Sequence, residues 1–356
     1  MARLDLIVET VSLRSFRSYE RLELALRPGL VLASGPNGAG KTNLLEALHV
    51  GTQGFSPRTR TDRQLVRFGD RAARIGVRGR RLQVPVDVEL TIELGVAKHG
   101  KLNGAPLRTV EHLRSELSTL VFTPDRLGLV KGAPAARRAY FDRALGRLTP
   151  ARAQLPADYG AAIAQRNASL RRIAAAVSTR AAIEPWTEQV VELGVALVAA
   201  REELLALLAV PFARHAAAFG LDDCELRYAG EPPTVEQLEA RFDRDLARGV
   251  TGLGPHVDDV VIAAGRRELR EFGSQGEQRL AVLALILGEA ELIADRRGVP
   301  PLLLLDDVLS ELDPARRRIL AERVVRTGQT LVTATDPAML PAEPDQFVEV
   351  HDGTAR

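Results

Sequence analysis

Two short clusters in this 356-residue chain carry residue types that could act on a phosphate. The first is Gly35-Pro36-Asn37-Gly38-Ala39-Gly40-Lys41-Thr42, spaced G-x-x-x-x-G-K-T, with Asn43 directly after it. Glycines at 35, 38 and 40 let backbone N–H groups turn toward an anion with no Cβ in the way. Lys41 is placed to reach the β- and γ-phosphates of a nucleoside triphosphate, and Thr42 to offer its hydroxyl to Mg²⁺. The second cluster is Asp306-Asp307, at the end of the apolar run Pro301 to Leu305. There Asp306 would support Mg²⁺ through its waters, and Asp307 would orient or deprotonate an attacking water. Lys41 and Asp307 are therefore the candidate catalytic residues.

These residues need elements to position them. Leu30 to Ser34 reads as a buried strand, and Leu44, Leu45 and Leu48 mark a helix face after the loop, ending near Val50-Gly51. A strand, a glycine turn and a helix N-terminus in sequence are the setting such a loop requires, because the helix end adds partial positive charge. Pro301 to Leu305 reads as a buried parallel strand that delivers its aspartates at a C-terminal edge. Further upstream, Ser274-Gln275-Gly276-Glu277 opens a helix with Leu280, Leu283 and Leu287 on one face, and Ser274 fits the N-cap.

The rest of the chain divides by character. Leu4 to Leu13 and Leu22 to Leu26 read as strands around Ser15-Phe16-Arg17-Ser18-Tyr19, and residues 82 to 94 alternate as another. Asn103-Gly104 suits a hairpin turn, and Leu120-Val121-Phe122 a short buried strand closed by Thr123-Pro124-Asp125. From 126 to 248 the text is rich in alanine and leucine, with punctuation at Pro150, Pro156, Pro185, Pro211 and Pro232-Pro233. Two apolar stripes meeting near Pro185 predict helices of about 21 and 25 residues, forming a hairpin roughly 30 Å long. Trp186 is assigned to packing at its tip. The expected organisation is an α/β P-loop head with mixed sheets over 1–125 and 249–356, interrupted by a mainly helical lobe over 126–248.

Composition narrows the class. No apolar run approaches a membrane span, and Arg3, Asp5 and Glu9 do not suit a signal peptide, so a cytoplasmic location is expected. Cys224 is the sole cysteine and reads as a small buried hydrophobe. His256, beside Gly254, Pro255, Asp258 and Asp259, is read as part of a hydrogen-bonded turn rather than a metal site. Lysine occurs only at 41, 98, 101 and 131, against 44 arginines. A chain that writes its positive charge as arginine still keeps lysine where a compact ammonium is needed. The formal net charge is only +2, but residues 58 to 81 hold nine arginines against Asp62 and Asp70. Such a run reads either as a solvated surface face or as a phosphate-tracking patch, and on the second reading Arg58, Arg60, Arg63 and Arg67 are DNA-binding candidates. Half a dozen such phosphate contacts would give a log–log salt slope near about −5.

S-x-G-E-Q, roughly 30 residues before the Asp-Asp strand, resembles the signature motif of the ABC-type ATPases, and Ser310-Glu311-Leu312-Asp313 resembles their D-loop. The motif set is similar to that of the RecF family, the SMC-like branch of those ATPases. It comprises F-R-S-Y, G-P-N-G-A-G-K-T-N-L-L-E-A-L, S-P-R-T-R-T-D-R-Q-L-V-R-F-G, F-T-P-D, G-P-H-V-D-D, S-Q-G-E-Q-R and D-D-V-L-S-E-L-D, in that order. The resemblance implies an ABC-type head binding ATP and Mg²⁺ through Gly35 to Asn43, Thr42 and Asp306, with Arg17 assisting at the phosphates. It implies that Ser274, Gln275, Gly276 and Glu277 reach ATP held by a second copy, so that ATP drives homodimerisation and slow, DNA-stimulated hydrolysis releases it. It also implies DNA repair partners: double- and single-stranded DNA at gap junctions, and RecR, with RecO and RecA in the pathway. Three departures stand out. Asp125 occupies the Q-loop slot, the stretch Leu331 to Asp336 ends without the expected switch histidine, and Val257 stands where arginine is expected. The competing reading is the nucleotide-binding subunit of a membrane transporter.

Overall fold

The computed structural model describes residues 6–107, 113–114, 117–325 and 327–356. The chain divides into two compact units, one of residues 1–126 and 282–356, the other of residues 127–281.

The first unit holds two six-stranded sheets. The antiparallel one has the order β2-β1-β4-β5-β6-β7, made of β1 (Leu6–Phe16), β2 (Tyr19–Ala25), β4 (Ala72–Arg81), β5 (Val84–Glu93), β6 (His99–Leu102) and β7 (Ala105–Pro106). The first hairpin is tighter than the sequence suggested. Phe16 pairs with Tyr19 across Arg17-Ser18, and both aromatics are fully buried. Asn103-Gly104 forms the expected two-residue turn, both residues at positive φ, joining β6 to β7.

The second sheet has the order β15-β14-β3-β13-β12-β8: β3 (Leu30–Ser34), β8 (Thr119–Phe122), β12 (Leu302–Leu305), β13 (Thr330–Ala334), β14 (Gln346–His351) and β15 (Thr354–Ala355). β8, β12, β13, β3 and β14 run parallel, and every residue of β3, β8, β12 and β13 is buried. Such strands must be apolar on both faces, which is why Leu302 to Leu305 reads as an uninterrupted run. Four buried leucines contribute on the order of 8 kcal/mol by transfer from water. Helix α1 (Lys41–Gln53) is buried over nearly its whole length and packs on strands of both sheets. The register sets β13 between β3 and β12, with Ala334 opposite Ser34 and Val332 opposite Leu305. Three adjacent strand ends therefore point the same way.

The second unit packs the helices Pro134–Leu148, Leu155–Ala174 and Glu184–Ala218 with the antiparallel sheet β11-β10-β9. Here β9 is Cys224–Ala229, β10 is Asp259–Ala264 and β11 is Arg267–Glu268. The lobe thus extends to Ala281 instead of ending at 248, and the returning head segment begins at 282. Its cause is pairing at a distance. β9 and β10 are hydrogen-bonded from Cys224 opposite Ala264 to Ala229 opposite Asp259. Arg137, on the first long helix, also grips Asp259 through Nε and Nη2, at 2.6 and 2.7 Å.

Pro211 does not end its helix. The helix runs 35 residues, with Pro211 buried beside Leu208 and Phe212. Tertiary packing outweighs the roughly 3 kcal/mol that an interior proline costs. Between β9 and β10 the chain forms two short helices, Val235–Ala240 and Phe242–Arg248. Trp186 is half-buried, and Cys224 is buried with its thiol pKa pushed up to about 12 by burial. His256 closes a turn as expected: one ring nitrogen meets the Tyr159 hydroxyl and the other the Thr251 carbonyl, each at 2.8 Å.

Three arginines are buried in this lobe, each matched to a carboxylate: Arg137 with Asp259, Arg201 with Asp142, and Arg166 with Asp245. Arg166 also donates to Thr187 and Thr251. Removing one member of so buried a pair strands the other charge. Asp245→Ala is expected to lower unfolding stability by about 3–5 kcal/mol in chemical denaturation. A loss below about 1 kcal/mol would show that Arg166 reaches water or another partner.

Candidate functional site

The phosphate loop leaves β3 at Ser34 and enters α1 at Lys41. Gly35 passes so close to β14 that a Cβ there would lie 2.0 Å from the Val350 carbonyl oxygen. Gly40, the N-cap of α1, has φ 114°, a conformation that side-chain-bearing residues rarely adopt. The Tyr19 hydroxyl donates to the Gly40 carbonyl at 3.0 Å, and burial raises its pKa, so it remains a donor. No side chain caps α1 and no acid stands in its first turn. Its leading amides are thus the kind of donor group that an anion satisfies. Lys41 curls back over the loop, donating to the Gly35 and Pro36 carbonyls at 2.7 and 2.9 Å. Burial lowers its pKa, while the charges of Asp307 and Asp306 oppose that shift.

Across from the loop stand the two carboxylates. Asp306 Oδ1 accepts from Thr42 at 3.0 Å and from Thr333 at 2.7 Å. The Thr333 hydroxyl in turn accepts the Asp307 amide at 2.9 Å. Thr333 belongs to β13, the strand between those carrying the loop and the aspartates, so one side chain fixes both acids. Burial raises the Asp306 carboxyl pKa; the hydroxyls of Thr333 and Thr42 and the charge of Arg58 work against that. Asp307 sits at φ 48°, and its Oδ1 is buried with no hydrogen-bond partner. A non-glycine residue there stores strain of about 1–2 kcal/mol, a common mark of a working position. The Thr42 hydroxyl and the two carboxylates, one of them with an unsatisfied oxygen, form a hard oxygen set that fits Mg²⁺. Thr42 and Asp306 are the residues that would hold it.

Beside the loop, Arg17 forms a two-bond fork on buried Glu46, at 2.9 and 2.8 Å. Arg58 joins the same carboxylate at 3.1 Å and Asn43 at 3.3 Å. Arg58 therefore turns toward the phosphate loop. Arg67 pairs with Glu20 and Asp70, whereas Arg60 and Arg63 are exposed. Along β4 the arginines alternate with buried Ala73, Ile75 and Val77, and Arg78 and Arg80 pair with Asp87 and Glu9. That part of the basic run is the solvated face of a strand. Arg17, Asn43, Arg58, Arg63, Arg67 and the fully exposed Phe68 help line an open cleft of about 710 Å³.

In the second unit, Ser274 caps the helix Gln275–Arg297, whose first turn contains Gln275, Gly276 and Glu277. The Ser274 hydroxyl accepts the Glu277 amide at 3.2 Å, and Glu277 accepts the Ser274 amide at 2.7 Å. These bonds, with Arg267 beside Glu277, hold the Glu277 pKa below its ordinary value. The reciprocal cap was legible as S-x-x-E, although only its serine was singled out. Thr333 and Glu46 were missed altogether; a threonine inside an apolar strand and an acid on a buried helix face were their only signals. The backbone of Asp125 lies in a short 3-10 turn, and its side chain is outside the described residues. Val257 is half-exposed.

The family described as RecF/RecN/SMC N terminal domain matches residues 7–355. The "DNA replication and repair protein RecF" of Heliobacterium modesticaldum is 35% identical over 343 residues, 92% of each chain. That of Kineococcus radiotolerans is 38% identical over 372 residues, 94% of each chain. A solved structure of "the recombination mediator protein RecF-ATP in RecFOR pathway" has a TM-score of 0.91 at 25% identity, covering 100% of this chain and 98% of the other. No described helix is long and apolar enough to cross a membrane.

The raised Asp306 pKa has a consequence for stability. Its contribution to folding is present below the ordinary value of 3.8 and is lost as pH rises through the higher folded value. Asp306→Asn keeps both hydroxyl bonds without the buried charge. It is expected to melt above the unsubstituted chain at about pH 8, the gap closing toward about pH 4. An equal gap at both would mean that the carboxylate is effectively hydrated.

Proposed function

Because the chain belongs to the RecF/RecN/SMC N-terminal domain family and groups there with the RecF proteins, we propose that it is an ATP-gated DNA-binding protein of recombinational repair. The observation that carries the reading is the meeting of Lys41 and Thr42 with Asp306 and Asp307 around Thr333. Such a constellation suits phosphoryl transfer to water and has little use in a module that only binds DNA.

In this mechanism the loop amides and Lys41 hold the triphosphate, Lys41 leaving the Gly35 and Pro36 carbonyls for the phosphate oxygens. Mg²⁺, when bound by Thr42 and Asp306, supplies charge neutralisation at the β- and γ-phosphates. Thr333 keeps Asp306 and Asp307 in fixed relation. The unpartnered Oδ1 of Asp307 then orients the attacking water and takes its proton. The cleft beside Asn43 has room for the nucleoside. No histidine stands directly after β13, where Thr335 and Asp336 follow, so a water-positioning group is missing and turnover is slow.

Ser274 to Glu277 would serve the nucleotide of a second copy. An anion at a helix N-terminus gains about 0.3–2 kcal/mol, most of it lost when the γ-phosphate departs. ATP thereby stabilises a homodimer that its hydrolysis dissolves. The dimer binds DNA through exposed arginines such as Arg60 and Arg63, at gaps where duplex meets single strand. It acts with RecR, and with RecO in the loading of RecA. The transporter-subunit alternative has no comparable support, since the relatives that match nearly the full chain are named as repair proteins.

Lys41→Ala is expected to abolish ATP binding. Ser274→Arg should bind ATP as the unsubstituted chain does yet remain monomeric with ATP in analytical ultracentrifugation. Dimerisation of Ser274→Arg on adding ATP would overturn the shared-nucleotide reading. The same runs with gapped, single-stranded and duplex DNA identify which DNA the dimer holds.

A further inference from the structure

Glu46 projects from the second turn of α1 with no exposed surface, and four donors converge on its carboxylate. Arg17 supplies two of them, Arg58 a third, and the Ser56 hydroxyl the fourth. Ser56 Oγ in turn accepts the amides of Arg58 and Thr59, each at 3.0 Å, which fixes the start of the arginine-bearing segment. Glu46 is therefore the point where α1, the β1–β2 turn and that segment meet.

A carboxylate this deep must be paired, and the Arg17 fork alone would suffice. The second guanidinium is in excess. One negative charge against two leaves a net positive charge beside Asn43, in side chains that also line the open cleft. An unbalanced pair of guanidiniums next to a phosphate loop is an arrangement awaiting an anion.

We propose that Glu46 is a positioning residue for triphosphate binding: it presets Arg17 and Arg58 as a cationic pair at the loop, and through Ser56 and Arg58 it couples the arginine-rich segment to the nucleotide. This rests on the ATP reading given above. Glu46 touches no phosphate itself. Its effect passes through the two guanidiniums, which separates it from a buried acid that only supports the helix.

The test is binding of a fluorescent N-methylanthraniloyl ATP with Mg²⁺ to the full-length chain, with thermal melting alongside. Glu46→Gln preserves shape but removes the charge that gathers the arginines, and ATP affinity should fall about tenfold. On a background carrying Arg17→Gln and Arg58→Gln, the same substitution should change affinity less than about twofold. Affinity of Glu46→Gln within about twofold of the unsubstituted chain, or an undiminished tenfold loss on that background, overturns the positioning role. If Glu46→Gln does not fold, Arg58→Lys carries the test. A lysine cannot span Glu46 and Asn43 together, so affinity should again fall, and an unchanged value refutes the proposal. Failure of the unsubstituted chain to bind the probe instead sinks the ATP reading itself.

Discussion

The Thr333 hydroxyl donates one hydrogen bond to the Asp306 carboxylate and accepts one from the Asp307 amide. Those two bonds hold the acids in relation to each other and to Thr42, which reaches the same Asp306 oxygen from the phosphate loop. They exist because β13 lies between β3 and β12, so three strands end at one edge. The crevice beyond the C-terminal ends of parallel strands is where such sheets place their ligands. Here the reason is concrete: a loop, a hydroxyl and two carboxylates arrive from three adjacent strands with no side chain having to stretch.

Burial of charge is the second theme, and arginine is its vehicle. Arg17 and Arg58 meet on Glu46 in the first unit; Arg137, Arg166 and Arg201 each hold an aspartate in the second. A planar fork with five donors satisfies a buried carboxylate and neighbouring carbonyls at once, as Arg137 does with Asp259, Val130 and Gly132. An ammonium offers no such geometry. Paired charges of this kind add little net stability over apolar packing, but breaking one is costly, so they favour a single arrangement of the helices around them.

The capped helix at Ser274 shows how such a site can be held ready at small cost. Glu277 closes the cap by accepting the Ser274 amide, and Arg267 holds the other carboxylate oxygen. The helix end is already satisfied by an acid of the same chain. In the proposed cycle a phosphate from a second copy would compete with that internal carboxylate, so the interface responds to the γ-phosphate through differences of a kcal/mol or so. That scale suits a reversible clasp.

What the sequence by itself determined is local. The glycine spacing, the lysine and the strand–turn–helix order around Gly35 to Thr42 are imposed by backbone sterics within a dozen residues. So are the apolar run into Asp306, the Asn103-Gly104 turn and the serine cap at 274. The same motifs sufficed for the family and the head fold. The tertiary structure alone decided that the lobe runs to Ala281, since β9 and β10 pair across some thirty residues. It decided that the helix passes through Pro211, that the half-exposed Arg58 is drawn onto Glu46 and Asn43 beside the phosphate loop, and that Thr333 joins two acids. Periodicity and turn chemistry act between neighbours in the chain, whereas a buried charge or an interior proline is settled by whatever distant residues fold against it.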